Sequence, residues 1–314
     1  MVEAQKLRSE AVPVTTLGRI AQFPLVRMIL ALLFIGVPVA IHNLSMIFGF
    51  EKIPEPWLSR ILVIETILLF FLILYAYRLY TRHIEKRRAH EISPAGSARE
   101  TAYGLALGAG LVTIQVALMA ALSYYRVESI GSVTVLLYAF FTFGIGAFLQ
   151  EMFFRGIVFR NLEELMGSWA ALVVVALIFG AVHLGNENAT IWTSLALIAA
   201  DVFLTAAYML TRRIWFVWGI HWGWNYLQDG VFGMPNSGIT SLKSWINCSI
   251  EGPDWLTGGS FGIEASWFAI GLSILIAAVL LKMAIVRKQI LKPGWYKTTP
   301  DTGGAVDLNS GRTQ

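Results

Sequence analysis

The chain has 314 residues, of which 56% are hydrophobic and 14% are charged, against roughly 25% charged residues in an average soluble domain. Several apolar runs are about 20 residues long, which is the length that a helix needs to cross a bilayer. This composition excludes an ordinary soluble enzyme and predicts an all-α polytopic membrane protein. Cys248 is the single cysteine, so an internal disulfide is excluded as well.

The apolar runs predict about eight transmembrane helices in one bundle with an intramembrane polar cavity. In chain order we place them near 26–48, 58–80, 103–125, 133–164, 168–184, 191–210, 214–232 and 264–286. Sequence patterns define such ends only to within several residues. The polar segments 1–25 and 287–314 are predicted to be cytoplasmic tails on either side of a transmembrane domain spanning 26–286.

Basic residues concentrate in three of the connecting segments, and all three fall on one side of the bundle if both termini do. The clusters are Arg78, Arg82, Lys86, Arg87 and Arg88, then Arg212 and Arg213, then Lys282, Arg287, Lys288 and Lys292. The positive-inside rule makes that side cytoplasmic. The longest opposite loop, 233–263, contains only Lys243. We expect the basic loops to contact anionic lipids, and this explanation of the net charge of +4 leaves no reason to expect nucleic acid as a partner.

Ionisable side chains within the predicted helices indicate a functional site. Each costs roughly 2.5–3.5 kcal/mol at mid-membrane, so such residues usually face the bundle interior and have partners. The candidates are Glu151, Arg155, His183, Asp201, His221 and Asn225. Two of them, Glu151 and Arg155, are four residues apart and share a helix face, as do His221 and Asn225. Carboxylate, imidazole and amide groups activate water, bind metals or stabilise an oxyanion. A structural alternative is a buried ion pair with two histidines that hydrogen-bond between helices.

Three segments resemble the motifs of one membrane-protease family. QEMFFR at 150–155, FGAVH at 179–183 and HWGWN at 221–225 are similar to EExxxR, FxxxH and HxxxN of the CAAX prenyl protease 2 and bacteriocin-processing (CPBP or Abi) family. The order is the same, and the resemblance covers about 100–235. The FRG sequence at 154–156 is similar to bacterial members. The resemblance implies an intramembrane endopeptidase in a bacterial cell membrane, acting on a peptide or a membrane-protein tail.

The family mechanism implies a role for each motif residue. A water between Glu151 (or Gln150) and His183 would be deprotonated and attack the scissile carbonyl. His221 and Asn225 would stabilise the oxyanion, and Arg155 would hold the Glu151 carboxylate.

Gln150 stands where the family has its first glutamate, and an amide cannot accept a proton as a general base. Either Glu151 takes this role, aided by His183, or the chain keeps the fold without peptidase activity. A shift of one residue rotates a side chain by about 100° around a helix, so the exchange of roles is not automatic.

Metal-assisted and non-enzymatic alternatives remain open from the sequence. Glu151, His183 and His221 resemble a catalytic zinc set with an open fourth position. They come singly from three helices, however, and the glutamate mechanism of the family needs no metal, so we expect no cofactor. A membrane scaffold or bacteriocin-immunity protein is the main alternative function. An ion-coupled transporter that uses Asp201 is less favoured, because the chain lacks paired broken helices in two related halves.

Overall fold

The computed structural model describes residues 16–49, 57–240 and 244–293. Parts of both predicted tails, and Lys243, lie outside these ranges. The α-helices are α1 (Thr16–Ala21), α2 (Pro24–Gly49), α3 (Trp57–His83), α4 (Ser97–Ala121), α5 (Thr134–Glu151), α6 (Arg160–Val182), α7 (Ile191–Thr211), α8 (Ile214–Asn225), α9 (Asp254–Thr257) and α10 (Trp267–Val286). Two π-helical segments, Met152–Phe159 and Tyr226–Val231, follow α5 and α8, and the two strands are β1 (Tyr125–Ile130) and β2 (Ile246–Ile250).

The helical fold class predicted from the sequence is confirmed, and a helix occurs at each of the eight predicted places. The largest boundary difference is in α4, which begins at Ser97 rather than near 103. Five helical stretches of the described residues are long and apolar enough to cross a membrane, and Pro24–Ala40 is a shorter apolar helix. The number of spans, and the position of a polar cavity within the membrane, stay predictions.

A glycine turns the longest helical stretch back on itself. This stretch runs over Thr134–Gly185 for 52 residues, about twice the length needed to cross a bilayer. Gly167 breaks it with φ 82° and ψ 167°, inside α6. A Cβ here would lie 2.9 Å from Pro293 Cδ, so the site favours glycine on both conformational and steric grounds. The break lies between the two helices predicted at 133–164 and 168–184.

The break at Gly167 makes this stretch a helical hairpin with two arms. The two arms bring distant motifs to the same height in the bundle. Phe154 and Phe179 have ring centroids 4.9 Å apart, although a continuous helix would separate them by almost 40 Å at 1.5 Å per residue. Glu151 and His183 are equally distant in sequence from Gly167, one on each arm. They therefore reach about the same height in the bundle.

The basic segments meet at one end of the bundle, as their sequence positions predict. Arg213 donates to the Ser93 carbonyl over 2.7 Å, and Arg212 pairs with Glu163 over 2.5 Å. The Leu291 amide donates to Ser168 Oγ over 2.8 Å. The loop after α3, the turn at Gly167, the α7–α8 connection and the segment after α10 thus share this end. Part of the predicted C-terminal tail is therefore bound to the bundle.

Helices α4 and α8 cross in backbone contact through paired glycines. A Cβ at Gly104 or Gly108 would lie 2.2 Å from Phe216 O or 2.1 Å from Ile220 O, respectively. Gly219 and Gly223 of α8 face α4 in the same way, with Cβ positions 2.4 Å and 2.5 Å from its carbonyls. Each helix therefore presents a small-xxx-small face, the sequence pattern of close helix packing in membranes. This crossing fixes the height and rotation of α8.

A small sheet covers the opposite end of the bundle. Strands β1 and β2 pair antiparallel, with Tyr125 opposite Ile250 and Ile130 opposite Ile246. The Trp245 amide donates to the Gly230 carbonyl over 3.0 Å, which ties β2 to the end of the helical stretch after α8. The sequence predicts only a loop over 233–263, so this sheet was not expected.

Candidate active site

A buried network of charged groups joins α5, α7 and α8. His221 Nδ1 lies 2.7 Å from Glu151 Oε1, and Arg155 Nη1 lies 3.1 Å from Glu151 Oε2. On its other side Arg155 Nη2 contacts Asp201 Oδ1 over 2.5 Å. Thr205, one turn beyond Asp201, donates to Asp201 Oδ2 over 3.1 Å. Glu151, Arg155 and Asp201 have no exposed surface. The Arg155 guanidinium thus contacts two carboxylates, and one of these, Glu151, also contacts His221.

Local helix geometry places these groups. The helix changes from α to π geometry immediately after Glu151 and returns to α at Arg160. Single π turns of this kind are frequent at functional sites, because they change the direction of side chains relative to the α-helical register. The Arg155 guanidinium also lies 5.8 Å from the ring centroids of both Phe154 and Phe179. These cation–π contacts link the arginine to both arms of the hairpin.

His183 is oriented by its own helix end. Its Nδ1 lies 2.7 Å from the Phe179 carbonyl oxygen, and its ring packs at 4.4 Å from the Phe179 ring. A carbonyl oxygen only accepts hydrogen bonds, so Nδ1 must carry the proton. In the neutral imidazole, Nε2 is then left with a free lone pair. The spacing of FxxxH has a direct structural meaning here, because the motif phenylalanine both stacks on the histidine and selects its tautomer.

One cavity of about 330 Å³ brings the motif residues together. Gln150, His183, His221 and Asn225 all line it. Glu151 and Arg155 do not line it, since they lie behind the wall in the buried network. All six residues predicted for the site are therefore near one another. Gln150, however, is the member of the Gln150–Glu151 pair that faces the cavity.

The structure adds polar residues that the sequence analysis missed. Asn186, Asp229, Ser237 and Glu264 also line the cavity. Buried Gln228 donates to Glu264 Oε2 over 2.5 Å, and Ser237 Oγ donates to Oε1 over 3.1 Å. Burial raises the pKa of Glu264 despite these hydrogen bonds. Asp229 and Glu264 lie beyond the predicted motifs, so no motif spacing signalled them. Asp201 was a candidate from sequence, but its pairing with Arg155 was not predicted.

The donor set does not fit the zinc site considered from the sequence. In the described part of the chain no group of three or more His, Cys, Asp and Glu residues is placed to hold a metal ion. Glu151 Oε1 is hydrogen-bonded to His221 and Arg155, and Oε2 lies 3.1 Å from Arg155 Nη1. The three candidate ligands Glu151, His183 and His221 therefore do not surround one point, and no step of the chemistry below passes through a metal.

Comparison with known proteins found a similarity over part of the chain. Residues 131–227 match the family model described as Rce1-like, type II CAAX prenyl endopeptidase. The matched segment contains all three motifs and runs from just before α5 to the π turn after α8, about a third of the chain. The family resemblance predicted from the motifs is thereby confirmed. No curated protein and no solved structure matched the chain.

The family match and the apolar helices together support two general statements. The chain is an integral membrane protein, because the Rce1-like segment lies among five helices that are long and apolar enough to span a bilayer. Over residues 131–227 the chain is similar to a family that is described as an endopeptidase.

Proposed function

We propose that this protein is an intramembrane endopeptidase that activates water with His183 and stabilises the oxyanion with His221 and Asn225. One observation carries the proposal: two histidines whose Nδ1 atoms are already engaged line the same cavity as a glutamine and an asparagine. Each imidazole is held so that Nε2 is the atom left for substrate or water. Imidazoles fixed in this way are typical of hydrolytic sites.

His183 is the base in this scheme. Its Nδ1 proton is directed at the Phe179 carbonyl, so Nε2 can take a proton from a water in the cavity. The resulting hydroxide attacks the scissile carbonyl carbon, and the tetrahedral intermediate carries a negative oxygen. The proton on His183 then passes to the leaving amine as the C–N bond breaks. Only the peptide and water are consumed, and His183 returns to its starting form.

His221 acts as a hydrogen-bond donor to the oxyanion when both of its ring nitrogens carry a proton. Its Nδ1 lies 2.7 Å from the buried Glu151 carboxylate, and Glu151 in turn contacts Arg155, which also contacts Asp201. With Nε2 protonated, His221 presents Nε2–H to the cavity, beside the Asn225 amide. Donors fixed in advance towards a developing oxyanion are a large source of catalysis.

The buried position of Glu151 supports a positioning role in place of the base role implied by the family mechanism. Its carboxylate contacts His221 and Arg155 and does not line the cavity. Gln150 does line it and supplies an amide that can hold the water or the substrate. Asp201, acting through Arg155, completes the positioning group.

The same proposal includes eight spans with both termini cytoplasmic, in a bacterial cell membrane. The grouping of the basic segments at one end of the bundle supports this orientation. The substrate is a peptide or a membrane-protein tail. Reporter fusions after residues 90 and 290 should be cytoplasmic, and a fusion near 245 should lie outside. A wrong side for any one of the three would reject the topology.

The activity can be tested with purified protein in liposomes and a panel of membrane peptides, with cleavage followed by mass spectrometry. Wild-type protein should cleave at least one peptide, and His183→Ala and His221→Ala should not. His90→Ala is the matched control, because His90 is exposed in the segment after α3. His183→Ala and His90→Ala should keep the wild-type melting temperature. His221→Ala removes one partner of the buried Glu151 carboxylate, so its activity is measured well below its own melting temperature. Cleavage that survives in His183→Ala, or a wild-type protein without activity on any peptide, would favour the membrane scaffold instead.

A further inference from the structure

A second concave site lies against α8 at Trp215 and Trp218. It is a groove of about 510 Å³ between α3 and α4, with α8 at its floor, and it shares no lining residue with the cavity. In the described part of the chain α3 packs on α2 and α5, whereas α4 packs mainly on α8. The space between α3 and α4 is therefore left open along the surface of the bundle.

The floor of this groove is aromatic and rigid. Phe70 stacks on Trp218 with centroids 5.4 Å apart. The Trp215 indole N–H donates to the Ser93 carbonyl over 2.7 Å, and the Trp218 indole N–H donates to the Gly144 carbonyl over 2.8 Å. Because both indole donors are bonded inside the protein, the rings present apolar surface to the groove. No carboxylate is among its described lining residues.

A single basic side chain lies at one end of the groove. Arg78 is exposed and lines it, and its guanidinium has no ion-pair or hydrogen-bond partner among the residues that the structure describes. Other arginines at this end are paired, for example Arg87 with Glu91 and Arg213 with Glu100. Arg82 is exposed one turn beyond Arg78 on the same face. The groove thus has an apolar body and a positive end.

Its length matches one bilayer leaflet. Phe70 and Arg78 are eight residues apart on α3, which corresponds to about 12 Å along the helix. The hydrocarbon core is about 30 Å thick, so half of it is about 15 Å. We propose that this groove binds an anionic phospholipid of the leaflet on the Arg78 side, with an acyl chain on the Phe70–Trp218 surface and the phosphate at Arg78. The site is independent of the peptidase chemistry.

Lipid retention measured by native mass spectrometry tests this site. Detergent-purified protein is mixed with phosphatidylglycerol or phosphatidylcholine, and bound lipids are counted. Wild-type protein should retain phosphatidylglycerol in preference to phosphatidylcholine. Arg78→Gln should reduce that preference about fivefold, since a basic residue near a membrane surface contributes about 1 kcal/mol to attraction of anionic lipid. Arg88→Gln is the matched control, because Arg88 is exposed in the same segment but does not line the groove.

A second experiment blocks the groove after the protein has folded. In a Cys248→Ser background, Ala98→Cys places a thiol at an exposed position on the groove wall, and a bulky maleimide is attached after purification. Labelling should abolish retention of both lipids, whereas labelling of Tyr103→Cys, exposed on the same helix outside the groove, should not. The proposal is overturned if the labelled Ala98→Cys protein binds as the unlabelled protein does, or if Arg88→Gln lowers the preference as much as Arg78→Gln.

Discussion

The Nδ1 atom of His221 lies 2.7 Å from Oε1 of Glu151, and that carboxylate has no exposed surface. The pair joins the first and third motifs of the Rce1-like segment across α5 and α8. A carboxylate that contacts one ring nitrogen fixes the orientation of the ring and leaves the other nitrogen for a ligand. In the proposed mechanism Glu151 acts through His221, while its neighbour Gln150 lines the cavity.

The first prediction is that Glu151→Gln abolishes most of the cleavage while the protein stays folded. The amide has nearly the same shape but no negative charge, so it holds the His221 ring less firmly for donation to the oxyanion. The loss of one oxyanion donor typically lowers kcat about 10²- to 10³-fold, and KM should change little. Steady-state kinetics on a cleaved peptide measure both constants. Glu128→Gln, at an exposed position of β1, is the control and should behave as wild type. Full activity in Glu151→Gln would show that this carboxylate is structural.

The second prediction concerns Gln150. Gln150→Glu should keep or increase activity, because it places a carboxylate on the cavity wall where a water can be deprotonated. The sharper form of the test is the double variant Gln150→Glu with His183→Ala. If the new carboxylate can act as a base, the double variant should recover activity at least tenfold over His183→Ala alone. Equal activity of these two variants would show that Gln150 does not face the reacting water.

The third prediction concerns Asp201, which contacts Arg155 over 2.5 Å. Asp201→Asn keeps the side-chain shape but removes the charge that holds the Arg155 guanidinium. The guanidinium then positions Glu151 less firmly, so kcat should fall, by less than in Glu151→Gln, with little change in KM. Removing one partner of a buried pair also destabilises a protein by about 3–5 kcal/mol, so steady-state kinetics and melting temperatures are measured together. A lower melting temperature with an unchanged kcat would assign Asp201 a structural role only.

Patterns of spacing predicted more of this site than of its surroundings. The i, i+4 pair of Glu151 and Arg155 and the FxxxH spacing are properties of a single helix, so they are visible in the sequence and are found in the structure. The turn at Gly167 could be placed between two apolar runs for the same reason. The convergence of three motifs followed from the family resemblance, because helix packing order is not encoded in any one segment.

The contacts that were missed are between segments far apart in the chain. Asp201 and Arg155 pair across α7 and the π-helical segment, and Glu264 meets Gln228 across the segment that contains β2. No repeating pattern within a single segment predicts such pairs. The glycines of GLALG at 104–108 and GIHWG at 219–223 are a visible small-xxx-small pattern, but only the structure shows that the two patterns face each other. Which of Gln150 and Glu151 lines the cavity likewise depends on the rotation of the helix about its axis, which the sequence alone does not specify.

The fourth prediction is a pH dependence of stability from the segment after α3. Glu91 is buried and pairs with Arg87 over 2.5 Å, and Tyr77 donates to it. Burial alone would raise the pKa of Glu91, but attraction to Arg87 and these hydrogen bonds lower it to about 2. An unfolded glutamate has a pKa of about 4.3. The stabilisation is therefore complete above that value and is lost as the pH falls from about 4.3 to 2.

Thermal melting in detergent between pH 3 and 7 measures this effect. Each pKa unit corresponds to about 1.4 kcal/mol, so the wild-type melting temperature should fall steeply below pH 4. Glu91→Gln should melt at a lower temperature than the wild type at pH 7. Its melting temperature should also fall less steeply as the pH is lowered. Exposed Glu128→Gln is again the control. If the melting temperature of Glu91→Gln fell with pH as steeply as that of the wild type, the pH dependence of stability would come from other carboxylates.

The last prediction concerns the crossing of α4 and α8, which sets the position of His221. A Cβ at Gly108 would lie 2.1 Å from the Ile220 carbonyl oxygen, the residue next to His221, and helix backbones cannot move apart there without displacing the site. Gly108→Ala should therefore destabilise the protein by about 1–3 kcal/mol, as overpacking usually does, and lower kcat further because His221 shifts relative to Glu151. Gly110→Ala is the matched control on the same helix, since nothing lies within 4 Å of its Cβ position. Alanine has the higher helix propensity, by about 1 kcal/mol, so Gly110→Ala should be neutral or stabilising. Melting curves and peptide cleavage are measured on both variants, and equal behaviour of the two would show that α4 and α8 do not pack through these glycines.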